Sequence, residues 1–295
     1  MKLDITKIQK DKPITELINF GIINIDKPSG PTSFWVDNYV RKALGLTKVS
    51  HAGTLDPKVT GVLPLMLGRT CKLLGYFMGH NKTYVGVMRL HADGVTEERL
   101  DEEIKKFLGV INQMPPVKSR VKRQLREREI VCFKVLERKD KDILFETEVQ
   151  AGTYIRKLCD DMGVNLGGAH MLELRRTKAS IFEEGEKNNN LKATSKIFTL
   201  YQFDEAVKEW KEKNNDKLLR AMITPGEVIT QVLPTVFAKN EYQKQLRTGK
   251  RLNNEMVVSG KWDKEEVFCA FIKESFLGIY EGQSKEEARA RFVWN

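Results

Sequence analysis

The apolar positions near the start of the chain alternate between strand-like and helix-like spacing. Ile22 to Ile25 is a short apolar run closed by Lys27-Pro28-Ser29-Gly30-Pro31, a turn-forming segment that cannot continue a strand. Beyond it Trp35, Val36, Tyr39, Val40, Ala43 and Leu44 recur at helical spacing. Thr32 or Ser33 is placed to cap them and Gly45 to stop them, which predicts a helix over Ser33 to Leu44. Lys82 to His91 sets Tyr84, Met88 and Leu90 on one face and Val85 and Val87 on the other, the pattern of a strand buried on both sides. Ile130 to Leu136 and Ile143 to Val149 read as strands joined by the polar turn Arg138 to Asp142. Thr153 to Met162 reads as a helix with Ile155, Leu158, Cys159 and Met162 as its stripe, and His170 to Arg175 returns to strand.

A polar loop at Gly185 to Asn190 separates this region from charged helical segments over Asp204 to Lys213 and Asp216 to Met222, which end at Pro225-Gly226. Short strands then alternate with turns at Val232 to Ala238, Met256 to Ser259, Val267 to Ile272, Phe276 to Tyr280 and Ala290 to Trp294. That spacing predicts a small all-β module of about 70 residues, with the boundary at 224: residues 1–223 form one domain and 224–295 the other. No fixed-period repeat interrupts the pattern.

Charge narrows the class of partner. Among 295 residues, 50 Lys and Arg face 40 Asp and Glu, a net charge of +10 that favours a polyanion. Half of this surplus sits between Lys118 and Arg128, where Lys118, Arg120, Lys122, Arg123, Arg126 and Arg128 meet one acid, Glu127. Met114-Pro115-Pro116 leads in extended, so the segment reads as a projecting basic arm suited to phosphate contacts, or else as a solvated charge run. No apolar window approaches the ~20 residues of a membrane span. Met1 to Pro13 lacks the apolar stretch of a secretory signal, so a cytoplasmic protein is expected. Cys71, Cys132, Cys159 and Cys269 are scattered, as reduced core thiols would be. His51, His80, His91 and His170 show no zinc-binding spacing, and phosphate-loop and dinucleotide fingerprints are missing. No metal and no cofactor are expected.

The densest group of special residues is Ser50 to Pro64, S-H-A-G-T-L-D-P-K-V-T-G-V-L-P. Asp56 before Pro57 suits a turn or cap, yet Gly53 and Gly61 permit close backbone approach and the loop leads into the apolar run Val62 to Leu67. With Thr153 as N-cap, Arg156 would be the third helical residue, where the helix dipole disfavours a cation. It is either a surface arginine or one that faces an anion. An Asp buried beside it would stay ionised, which makes Asp56 and Arg156 a plausible nucleophile and charge partner. Tyr84 and Tyr154 fit either core aromatics or platforms for a nucleobase.

At these residues the chain resembles a known family. H-A-G-T-L-D-P-K-V-T-G-V-L-P at His51 to Pro64 is similar to the catalytic motif of the TruB family of RNA pseudouridine synthases. So are I-I-N-I-D-K-P-S-G-P-T-S (Ile22 to Ser33), K-T-Y-V-G (Lys82 to Gly86), A-G-T-Y-I-R-K-L (Ala151 to Leu158) and G-A-H-M-L-E-L-R-R-T (Gly168 to Thr177), in the same order. Pro115 to Arg128 looks like the thumb loop of the archaeal and eukaryotic branch, the box H/ACA guide-RNA enzymes of dyskerin type. The tail resembles that branch's PUA domain through L-P-T-V (Leu233 to Val236) and T-G-K-R-L (Thr248 to Leu252). Three departures stand out: Phe34-Trp35 where a His is expected, Arg120 where the thumb has Ala, and G-K-W-D (Gly260 to Asp263) in place of a tighter G-D.

The resemblance implies an α+β fold, with a mixed, mainly antiparallel sheet carrying the active cleft and a small β-barrel-like PUA domain at the C-terminus. It implies Asp56 as the nucleophilic carboxylate, shielded from bulk water, with Arg156 as its charge partner and Tyr84 stacking on the target base or also acting as a base. Tyr154 and Leu174 would line the base pocket, His51 would help hold the flipped nucleotide, and the basic run Lys118 to Arg128 would bind RNA. The implied reaction turns uridine into pseudouridine within a box H/ACA particle, with guide RNA, rRNA or tRNA and the particle's other core proteins as partners. A stand-alone enzyme acting on the tRNA T-loop and a non-catalytic RNA scaffold are the alternatives. The lack of long Lys-rich tails favours an archaeal cytoplasm over a nucleolus.

Overall fold

Alternate residues of the central strands feed two different apolar cores. The computed structural model describes residues 3–116, 122–185 and 196–294. Two short helices, α1 (Ile5–Asp11) and α2 (Ile14–Asn19), precede β1 (Gly21–Lys27). Helix α3 (Ser33–Ala43) begins at Thr32, whose side chain accepts from the Trp35 N–H, and buries Val36 and Val40. Next come β2 (Val49–His51), β3 (Thr60–Leu67), α4 (Leu74–Met78), β4 (Lys82–Leu90) and α5 (Glu97–Lys106). A long hairpin follows, built from β5 (Gly109–Gln113) and β6 (Arg126–Lys139), and then β7 (Asp142–Val149), α6 (Ile155–Gly163), β8 (Ala169–Ala179) and β9 (Phe182–Glu183). Helices α7 (Leu200–Lys213) and α8 (Lys217–Met222) lead to β10 (Ile223–Pro225).

Among the described residues these strands form one ten-stranded sheet in the order β10-β1-β3-β8-β4-β7-β6-β5, with β2 beside β3 and β9 beside β8. All pairings are antiparallel except β3 with β8, where Thr60 and Gly61 lie opposite Arg175 and Arg176. In β3, Leu63, Leu65 and Leu67 join a core with Ile23, Ile25, Val36 and Leu158, whereas Val62 and Met66 face a second core with Phe20 and Ile22. Strand β4 differs from the sequence expectation. Tyr84, Met88 and Leu90 enter the first core, but Thr83, Val85 and Val87 are half-buried, so one face alone is fully covered. Helix α6 starts one residue later than a Thr153 cap would set it: Tyr154 is the N-cap, and Thr153 Oγ1 donates to the Gln150 carbonyl instead.

The remaining elements are β11 (Thr235–Ala238), α9 (Gln243–Arg247), β12 (Leu252–Asn253), β13 (Val257–Ser259), β14 (Val267–Ile272), β15 (Ser275–Gly282) and β16 (Glu287–Val293). They form a nearly closed, barrel-like second sheet in the order β12-β16-β15-β14-β11-β13, with β11 parallel to β14. Val236, Phe268, Ala270 and Ile272 point into that sheet's own core. Their neighbours Phe237, Cys269 and Phe271 share a core with Phe20, Ile22 and Val62 and join the two sheets. Strand β10 spans the boundary expected at 224 and pairs with β1 in the first sheet. All four cysteines are free, Cys159 and Cys269 buried and Cys71 and Cys132 half-buried. Among the described residues no helix is long and apolar enough to cross a membrane.

Candidate active site

The loop between β2 and β3 carries Asp56, and β1, α3, the turn between them and β8 hold it. Lys27, at the end of β1, is fully buried and donates from Nζ to the carbonyls of Pro28 (2.9 Å), Pro57 (2.9 Å) and Val59 (2.8 Å). Ser33, at the start of α3, accepts from the Leu55 N–H at 2.9 Å and donates to the Leu55 carbonyl at 3.1 Å. The Gly30 N–H donates to the Pro57 carbonyl at 2.9 Å. From β8, Arg176 donates to the carbonyls of Val62 and Gly53, each at 2.8 Å. Gly61 has φ +100°, and a Cβ there would overlap the Arg176 carbonyl, so only glycine lets β3 meet β8 at this point. Gly53, with φ +102°, lets the loop close over the Lys82 stem and the Arg176 guanidinium, 3.1 and 3.2 Å from where its Cβ would stand.

Three buried cations therefore lie beneath the loop. Lys27, Lys82 and Arg176 are all buried and bond to main-chain or hydroxyl oxygen. Burial pushes the Lys27 ammonium down to about 8; the charge of Asp56 opposes this shift and that of Arg176 adds to it. Burial likewise brings Lys82, which donates to the carbonyls of Met78 and His80, to about 8, with Arg176 adding to the shift. Burial lowers Arg176 as well, and its hydrogen bond to Tyr84 opposes the shift. Tyr84 lies opposite Arg176 in the β4–β8 register and is buried below the loop.

Across this floor Arg156 Nη2 donates to Asp56 Oδ2 at 2.9 Å, joining residues 100 positions apart. Arg156 is the second residue of α6, in the first turn, where the dipole disfavours a cation and a facing carboxylate compensates it. Gln113, at the end of β5, fixes that turn: its amide accepts from the Tyr154 N–H at 2.7 Å and donates to the Tyr154 carbonyl at 3.1 Å. The expected shielding of Asp56 is corrected. Its side chain is 59% exposed and that of Arg156 is 54% exposed, because the loop crosses the outer surface above the buried cations.

The other expected residues fall around this centre. His51, at the end of β2, is clamped between Asp37 (Nδ1 to Oδ2, 2.7 Å) and Thr54 (Nε2 to Oγ1, 2.9 Å), so it buttresses the loop from α3. Leu174 is half-buried in β8 opposite Gly86, packed against the first core. Lys118 and Arg120 lie outside the described residues. Lys122 and Arg123 are exposed, but Arg126 and Arg128 belong to β6 and pair with Gln113 and Ile111 of β5. The basic run thus ends in a strand rather than an arm. The Arg128 guanidinium lies close to Gly152, 3.1 Å from where a Cβ would stand, in the turn that precedes Arg156. Sequence reasoning gave Lys27, Asp37, Lys82, Gln113 and Arg176 no part in the site and read Ser33 only as a candidate helix cap, a place that Thr32 takes. The available signal was a cation set inside an apolar strand pattern, at Lys27 and Lys82. Among the described residues no group of three or more His, Cys, Asp or Glu is placed to hold a metal ion.

The chain is also similar to known proteins. Residues 41–155 match the TruB family pseudouridylate synthase N-terminal domain, and residues 156–231 match the tRNA pseudouridylate synthase B C-terminal domain. A probable tRNA pseudouridine synthase B of Methanopyrus kandleri is 43% identical over 228 residues, 77% of this chain and 64% of the relative, so the match spans less than two thirds of that protein. The protein of the same name from Methanothermobacter thermautotrophicus is 45% identical over 228 residues, 77% of this chain and 67% of the relative. Among solved structures, a Cbf5-Nop10-Gar1 complex superposes with a TM-score of 0.83 and 34% identity, covering 97% of this chain and 88% of the other. An H/ACA RNP bound to a substrate RNA containing 2'-deoxyuridine gives 0.84 and 31%, covering 97% and 89%. An aspartate on a loop tied down from β1, α3 and β8, in a chain so similar to these relatives over more than three quarters of its length, belongs to a member of the TruB family of pseudouridine synthases.

Proposed function

We propose that this protein converts uridine to pseudouridine in RNA, with Asp56 as the reacting carboxylate. The observation that carries the reading is the Asp56–Arg156 contact at 2.9 Å on an open surface above three buried cations. The reaction is redox neutral: the bond from ribose C1' to uracil N1 breaks, a C1'–C5 bond forms, the C5 hydrogen leaves as a proton and N1 gains one. Asp56 begins it either by attack or by taking the ribose C2' proton. Arg156 holds and aims Asp56 through their hydrogen bond, and Tyr84 lies under the target base. Tyr154 and Leu174 line its pocket, and His51 holds the loop that receives the flipped nucleotide. Unstacking that uridine costs a few kcal/mol, offset by stacking and by phosphate contacts with the basic run from Lys118 to Arg128.

The setting we propose is a box H/ACA guide-RNA particle in the cytoplasm, with rRNA or tRNA as target. Residues 224–295 would act as a PUA domain gripping the RNA. The superposition with the Cbf5-Nop10-Gar1 complex over 97% of the chain supports this setting. A second reading, stand-alone modification of tRNA, is favoured by the relatives named as tRNA pseudouridine synthase B. The test is release of label from RNA carrying tritium at uracil C5. Wild type releases it and Asp56→Asn does not; no release from either leaves an RNA-binding scaffold. Running the assay on tRNA with and without guide RNA and protein partners separates the two settings.

A further inference from the structure

Helix α3 begins with two large aromatic side chains that its packing does not use. Phe34 is 69% exposed and Trp35 is 47% exposed. The helix has its cap from Thr32 and its buried face from Val36 and Val40 without them. A ring left in water forgoes about 1.5–3 kcal/mol that burial would bring.

Their place relative to Asp56 is fixed. Ser33, immediately before Phe34, bonds both the N–H and the carbonyl of Leu55, immediately before Asp56. One 3.8 Å step on each side of that contact leaves the Phe34 and Asp56 Cα atoms no more than about 14 Å apart. Trp35 is braced from behind. Its ring stacks on Tyr39, one turn along, with centroids 4.9 Å apart and planes at 17°. The Tyr39 hydroxyl in turn bonds both carboxylate oxygens of Asp204 on α7, at 2.7 and 2.8 Å. One face of the indole is covered, and the residue is still half exposed.

We infer that Phe34 and Trp35 form a stacking platform for an unpaired nucleobase, that of a nucleotide next to the uridine presented to Asp56. The inference rests on the RNA-modifying reading above. A base is favoured over a protein side chain because Ser33 ties the start of α3 to the loop on which Asp56 and Lys58 are exposed, with the exposed Arg156 bonded to Asp56. Aromatic faces beside cations are what a single strand stacks against, with little regard to base identity. The braced, preorganised indole also reduces the ordering cost of binding.

The probe is an oligoribonucleotide with one uridine flanked on each side by 2-aminopurine, whose fluorescence falls on stacking. Wild type and Phe34→Tyr are expected to quench the fluorophore on one side of the uridine. Phe34→Ala and Trp35→Ala lose most of that quenching and raise Kd about 5- to 100-fold, the loss of one base stack. Circular dichroism confirms that these surface variants fold. Pseudouridine formation is scored separately on the same RNA. Quenching by a wild type that makes no pseudouridine either in this RNA or in tRNA, with and without guide RNA and protein partners, overturns the catalytic reading and leaves the platform standing. Unchanged quenching and affinity in both alanine variants, or no quenching by the wild type, overturns the platform. Alanine variants that keep RNA affinity but lose a protein partner likewise overturn it.

Discussion

Replacing Lys27 with methionine keeps the length of the side chain and removes its three donors, which isolates what the buried ammonium does for the Asp56 loop. Of the three carbonyls it serves, those of Pro28 and Pro57 belong to exposed residues, where water can take over; that of Val59 is enclosed. An enclosed carbonyl left without a donor costs about 1–3 kcal/mol, and exchanging the other two bonds for water costs about 0.5 kcal/mol each. Removing a charge whose burial drives its pKa down to about 8 returns part of this. The expected net loss is about 2 kcal/mol, read by urea denaturation. The larger effect is on rate. Pro57 and Val59 flank the loop's descent from Asp56, and a displacement on the order of 1 Å at a reacting group costs roughly 10²-fold. Single-turnover release of C5 label should therefore fall by about that factor while RNA affinity changes little, since Lys27 is enclosed and reaches no ligand. A variant that loses 2 kcal/mol yet reacts within about three-fold of wild type would refute the claim that this ammonium positions Asp56.

Two further outcomes test the same region. The folded pKa of Lys27 is about 8 against 10.5 for the free side chain, so between these values the unfolded chain holds the extra proton. The stability of wild type relative to Lys27→Met should stay level below pH 8 and rise as pH increases from 8 to 10.5; denaturant midpoints that diverge in the opposite sense contradict the burial assigned to Lys27. Gly61→Ala places a methyl group against the Arg176 carbonyl at a φ of +100°, and should cost 3 kcal/mol or more, at roughly the scale of a strained backbone plus a clash. Thermal unfolding reads this directly, and a Tm within about 2 °C of wild type would show that the β3–β8 contact yields easily.

What the sequence revealed, and what it hid, follows from the range of each interaction. The helix at Ser33–Ala43 and the strand at Val267–Ile272 were legible because their stripes are local and strongly apolar. Arg156 was legible for a different reason: a cation in the first turn of a helix is a local misfit that points to a distant anion, and Asp56 supplies it. Helix α5, E-E-R-L-D-E-E-I-K-K, escaped notice because Leu100 and Ile104 are its only apolar positions. The buried cations escaped because periodicity counts a Lys or Arg as a mark of solvent. The oxygens that satisfy Lys27, Lys82 and Arg176 are main-chain atoms and a tyrosine hydroxyl, and most belong to segments remote in sequence from the cation they serve. The openness of Asp56 was hidden as well, since a motif records which residues meet and not how much water reaches them.

That openness has a consequence for what can be turned over. With more than half of the Asp56 side chain wetted, the described residues do not by themselves give this acid the dry enclosure that sharpens charge–charge interactions during reaction. An incoming strand that covers Asp56 adds to that enclosure by displacing water. A free nucleoside, able to touch the acid but too small to expel the surrounding solvent, should then be a far poorer reactant than the same base embedded in a strand.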